Sequence, residues 1–130
     1  MEKEIIRTDK AFVSKSPLSQ AVKIGNMLFV SGQVPVDSKT MTLVSEDFAT
    51  QAHHVFNSVK EIMTAAGSTL DAIVKTTVFL TDMSRFQDMN EIYKQYFTDN
   101  PPARTCIGAK ELPRASQIEM EAIAIVENEG

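Results

Sequence analysis

The chain has 130 residues, 43% of them apolar and 23% charged, which is the size and make-up of one globular domain with a core of its own. Thirteen Lys and Arg against seventeen Asp and Glu leave a net charge of −4, which disfavours a nucleic-acid polyanion as the main partner. A single cysteine, Cys106, rules out an intrachain disulfide and suits a reducing compartment, and no apolar run is long enough to span a bilayer.

Met1–Lys10 alternates charge signs and has no apolar stretch, so it does not read as a leader peptide, and a cytoplasmic protein is expected. Glu4–Arg7 is a short strand candidate. Ala21–Ile24 is a second, turned by Gly25-Asn26 into a third over Met27–Gln33. After a loop at Asp37–Thr42, Ser45 is placed to cap a helix with Glu46 and Asp47 in its first turn. Phe48, Ala52, Val55, Phe56, Val59, Ile62, Met63 and Ala66 then recur at steps of three and four, an amphipathic stripe that Gly67 can stop. Ile73–Thr81 is a β-branched strand. Ser84 and Gln87 have capping-box spacing ahead of a second helix that carries Phe86, Met89, Tyr93 and Phe97 on one face. Pro101-Pro102 ends it. Ala103–Ala109 and Ile118–Val126 are the last strands, with a turn near Leu112-Pro113.

The order β-β-β-α-β-α-β-β, with no linker or repeat, predicts one α+β domain over residues 1–130. Each helix joins two strands, so parallel pairing is expected there, with both helices on one face of a mixed sheet. The other face is not simply polar: Ile118–Val126 carries Ile123 and Ile125 there beside Glu119 and Glu121. Two helices cannot cover both faces, so a second subunit is expected on the open one. The alternative is scattered surface apolar residues, which are common.

Few residues look suited to chemistry. There is no phosphate-binding glycine loop. His53 and His54 are neighbours about 100° apart on a helix, so they cannot chelate one metal in the i, i+4 manner, and one is expected solvated, the other half-buried. Cys106 is either a nucleophile or a small hydrophobe. Arg104 shares a strand face with Cys106 and needs an anion, because an unpaired buried guanidinium is costly. That anion is either a small acid substrate, gripped bidentately, or simply Glu119 or Glu121. Of those two glutamates, one less well paired can act as a general base or position a water. Asn90 stands on the apolar face of the second helix, where its amide bonds either a ligand or a neighbouring strand. Ser31-Gly32-Gln33 ends a strand, and the glycine there permits close approach of a ligand or another chain.

Four segments carry a family resemblance. Ile24-Gly25-Asn26-Met27-Leu28-Phe29-Val30-Ser31-Gly32-Gln33-Val34-Pro35, Val74–Leu80 followed by Asp82 and Asn90, Pro102-Ala103-Arg104-Thr105-Cys106 and Ile118-Glu119-Met120-Glu121-Ala122-Ile123-Ala124 stand in the right order across nearly the whole chain. Together they resemble the reactive intermediate deaminase A family (RidA, the YjgF-like proteins). The resemblance implies a chorismate-mutase-like fold, a homotrimer with a ligand cleft at each subunit interface, and hydrolysis of 2-imino or 2-enamino acids to 2-oxo acids and ammonia without metal or cofactor. It implies that Arg104 clamps the substrate carboxylate and Glu119 activates the attacking water. Ser31, Gly32, Cys106 and Asn90 would line the cleft. Leu18, in Ser16-Pro17-Leu18-Ser19-Gln20-Ala21, stands where catalytic members carry a tyrosine. It favours the alternative of a non-catalytic member that binds a small carboxylate or a partner protein in the same cleft. A ribonuclease role, attributed to some relatives, fits poorly with the acidic balance.

Overall fold

A computed structural model describes residues 1–127. Strands β1 (Lys3–Ile6), β2 (Ala21–Ile24), β3 (Met27–Gln33), β4 (Ile73–Leu80), β5 (Ala103–Gly108) and β6 (Ile118–Ile125) form one six-stranded sheet in the order β1-β2-β3-β6-β4-β5. Gly25, at φ +60°, supplies the left-handed residue of the two-residue β2–β3 hairpin loop. The last strand inserts between β3 and β4, antiparallel to both, while β4 and β5 pair in parallel across the second helix. The expected α+β architecture is therefore present, but only one of the two expected parallel pairs forms: β3 and β4, joined by the first helix, do not pair because β6 fills the place between them.

Helices α1 (Phe48–Ala65) and α2 (Phe86–Tyr96) pack on one face of the sheet. The α1 stripe is buried from Phe48 to Met63 against Leu28, Val30, Met120, Ala122 and Ala124. Gly67 follows its end at φ +76°. The caps differ from expectation. Asp47, not Ser45, caps α1, accepting from the Thr50 amide at 2.9 Å. A carboxylate combines the hydrogen bond with a charge that suits the helix N-terminus. Ser45 instead accepts from the Asp47 amide. Before α2 the cap is likewise an aspartate: Asp82 accepts from the Ser84 amide at 2.9 Å and starts a 3₁₀ turn, Met83–Arg85. Ser84 therefore makes no capping box.

Strand parity is also shifted once. A register break opposite Ile73 and Lys75 turns Ile73 into the core with Thr76, Val78 and Leu80, and leaves Val74 47% exposed. Both histidines are half-buried rather than one solvated, and His53 Nδ1 lies 2.7 Å from the Tyr96 hydroxyl.

The face away from the helices is open. Ile5, Ile24, Met27, Phe29 and Ile125 are 37–42% exposed there. Phe29 stands opposite Ile123, and Met27 opposite Ile125 and Ile24, so the patch is continuous over four strands. Among the described residues no helix is long and apolar enough to cross a membrane.

Candidate active site

The C-terminal end of β3 is irregular. Between Val30 and Gln33 its register with β6 breaks, and such a bulge re-aims the residues around it. Ser31 uses its freed groups locally: its amide donates to the Gln20 carbonyl at 2.9 Å and its hydroxyl to the Ser19 carbonyl at 2.6 Å. Gln20 is buried and ties the preceding loop down. Its amide nitrogen donates to the carbonyls of Thr8, Ala11 and Phe12, and its oxygen accepts from the Thr8 amide at 2.7 Å. These bonds hold the 12–18 segment as one wall of a cleft of about 650 Å³ beside the bulge.

Gly32 forms the floor of that cleft together with Glu119. A β-carbon at Gly32 would run into the Glu119 carboxylate where it now lies, so a side chain there would displace that carboxylate. Glu119 is half-buried, and burial raises its pKa above the usual carboxylate value, helped by the charge of Glu121. Glu121 lies two residues on along the same strand face and lines the same cleft. Leu18 is 55% exposed at the cleft.

Arg104 is elsewhere. In β5 it stands opposite Thr76, whose side chain points into the helix-covered core, whereas Glu119 stands opposite Phe79 on the other face. The guanidinium lies over the rings of Tyr93 at 4.8 Å and Phe86 at 5.5 Å, contacts that suit a delocalised cation. One of its nitrogens reaches the Met89 sulfur at 3.8 Å, a weak acceptor. The ion pair with Glu119 or Glu121 that the sequence allowed is not formed within the chain. The physical reason is that β5 is an edge strand and the two groups have opposite parity across the sheet. Among the described residues Arg104 has no acidic partner.

Cys106 shares the Arg104 side. Burial pushes its thiol up, and the Arg104 charge only partly offsets this, so the thiolate needed for nucleophilic attack is disfavoured. Asn90 lies on the α2 face that carries Phe86 and Tyr93, and its buried Oδ1 has no hydrogen-bond partner. A buried amide oxygen left without a partner is costly.

The candidate residues read from the sequence thus fall into two separate groups within the chain. Leu18, Ser31, Gly32 and Glu119 meet in the cleft; Asn90, Arg104 and Cys106 gather along β5 and α2. Sequence reasoning did not single out Phe12, Lys15, Gln20 or Arg114, which line the cleft from segments a hundred residues apart. The one local signal was the turn at Pro113, just before Arg114.

Residues 8–126 match the family model described as endoribonuclease L-PSP. A RutC family protein of Pyrococcus abyssi is 44% identical over 127 residues, covering 98% of this chain and all of that protein. A human 2-iminobutanoate/2-iminopropanoate deaminase is 42% identical over 123 residues, covering 95% of this chain and 90% of that protein. The crystal structure of RidA from an Antarctic Psychrobacter superimposes with a TM-score of 0.91 at 40% identity, covering 95% of this chain and 99% of that one.

Proposed function

Since the chain belongs to the RidA (YjgF-like) family, the endoribonuclease L-PSP family of the matching model, we propose that it hydrolyses reactive 2-imino or 2-enamino acids to 2-oxo acids and ammonia. The observation that carries this reading is Glu119. Its carboxylate lies against the bare backbone of Gly32 in a cleft, and burial raises its pKa, as suits a general base.

The imine carbon C2 is already electrophilic, so an oriented water supplies most of what the reaction needs. A 2-enamino acid first tautomerises to the imine, gaining a proton at C3 and losing one from nitrogen. Glu119 takes a proton from the oriented water as its oxygen bonds to C2. The C=N electron pair moves to nitrogen, which takes back the proton held by Glu119. The tetrahedral carbinolamine then collapses: the C2 hydroxyl proton passes through Glu119 to the nitrogen, the C–N bond breaks, ammonia leaves, and the 2-oxo group forms. Electrons balance without any oxidant or reductant.

Arg104 is proposed as the clamp for the substrate carboxylate. It carries an unpaired positive charge, presented at a sheet edge on an aromatic bed. Because Glu119 lies on the other face of its own sheet, the complete site is proposed to join Glu119 of one copy with Arg104, Cys106 and Asn90 of another. A homotrimer, closed through the open apolar sheet face, is the assembly proposed.

The test is release of 2-oxo acid and ammonia from freshly generated 2-aminoacrylate or imino acid, against the rate in buffer. Acceleration is expected. Arg104→Ala should lose about 10- to 100-fold, the size of a charge-assisted bond, while its assembly state is kept. A wild type that does not exceed buffer refutes the enzyme reading. Leu18 favours the second reading: with no phenol at the cleft, a member that binds small carboxylates without turning them over would bind 2-oxobutyrate yet fail this assay.

A further inference from the structure

The cleft holds two cations that the hydrolysis does not use. Lys15 and Arg114 both line it with Glu119, and neither has an acidic partner among the described residues. Arg114 is held in place. One nitrogen donates to the Met41 carbonyl at 2.8 Å, and the guanidinium lies 5.3 Å from the centre of the Phe12 ring. Its remaining N–H donors are left for other acceptors.

The backbone around this contact is strained. Arg114 (φ 62°), Ala115 (φ 58°) and Met41 (φ 62°) all occupy the left-handed region that favours glycine. Strain of this kind persists where surrounding structure over-determines it, and ligand clamps are a common place for it. Here it brings two separate turns together at the guanidinium.

On the proposed reading the substrate's own carboxylate goes to Arg104 of another copy. Lys15 and Arg114 then remain in the cleft with Glu121 and with Glu119, whose charge burial disfavours.

We propose that the cleft selects imino acids bearing a second carboxylate, which Lys15 and Arg114 bind at the end of the substrate side chain. This assignment rests on the deaminase reading for its chemistry, but its recognition step is measured without turnover.

Calorimetry of the intact protein with two stable product-like acids tests it: 2-oxoglutarate, with a second carboxylate, and 2-oxobutyrate, without one. 2-Oxoglutarate is expected to bind at least about tenfold tighter, the scale of one charge-assisted hydrogen bond. Lys15→Gln, on an exposed loop position, should cut that preference severalfold, and the double variant with Arg114→Gln should abolish it. Equal affinities in the wild type, no binding of either acid, or a preference that survives the double substitution each overturn the assignment. Failure of the imine assay with the preference intact would sink the deaminase reading and leave the dicarboxylate site standing.

Discussion

Glu119 and Arg104 are both charged residues in apolar strands, and each can be picked out from the sequence on that ground alone. Their relation cannot. Each was free to pair with the other until the sheet put them on opposite faces, with Glu119 over Gly32 and Arg104 over Tyr93 and Phe86. For Glu119 the consequence is a pH dependence. A base works ionised, so the proposed activity should fall as pH drops through the Glu119 pKa. Because burial and Glu121 raise that pKa, the fall should begin at higher pH than for an ordinary carboxylate. Glu121→Gln removes one of the two causes, so the acid limb of kcat/KM should move to lower pH. A limb that stays in place would show that Glu121 does not set the charge state of Glu119.

At the scale of elements, existence and order were legible because the periodicities are long: the α1 stripe repeats over five turns, and the strands are β-branched. The ends were less so. Asp47 and Asp82, rather than Ser45 and Ser84, took the caps, a competition between neighbouring polar side chains that spacing leaves undecided. How α1 is tied to the start of β6 was not legible at all. Gln51 is fully buried; its amide nitrogen donates to the Ser45 carbonyl and its oxygen accepts from the Gln117 amide, both at 2.8 Å. A glutamine inside an apolar helical stripe gives no hint of a partner 66 residues away. Gln51→Leu leaves the Gln117 amide without its acceptor and should destabilise the protein by about 1–3 kcal/mol, read as a lower urea midpoint at unchanged slope. No change in midpoint would mean that water replaces the bond.

For the whole molecule, the open sheet face is the feature with the widest reach. Ile5, Ile24, Met27, Phe29 and Ile125 form one patch across four strands, where a monomer usually scatters such residues. Sedimentation should give a mass near three times 14.4 kDa. Phe29→Asp places a charge at the middle of that patch and should yield monomers; on the proposed shared site, imine hydrolysis should be lost with the assembly. A wild-type monomer would contradict the assembly and, with it, the shared site.

By itself the sequence determined the α+β class, the order of the elements, the family and the identity of the unusual residues. Periodicity, turn residues and local motifs are properties of neighbours along the chain. Only the tertiary structure decided the strand order that inserts β6 between β3 and β4, the separation of Glu119 from Arg104 on opposite faces of the sheet, and the placing of Lys15 and Arg114 in one cleft. Those depend on which faces and edges distant segments share, and a single bulge, such as those at Ser31-Gly32 and Val74, changes which side chains face together.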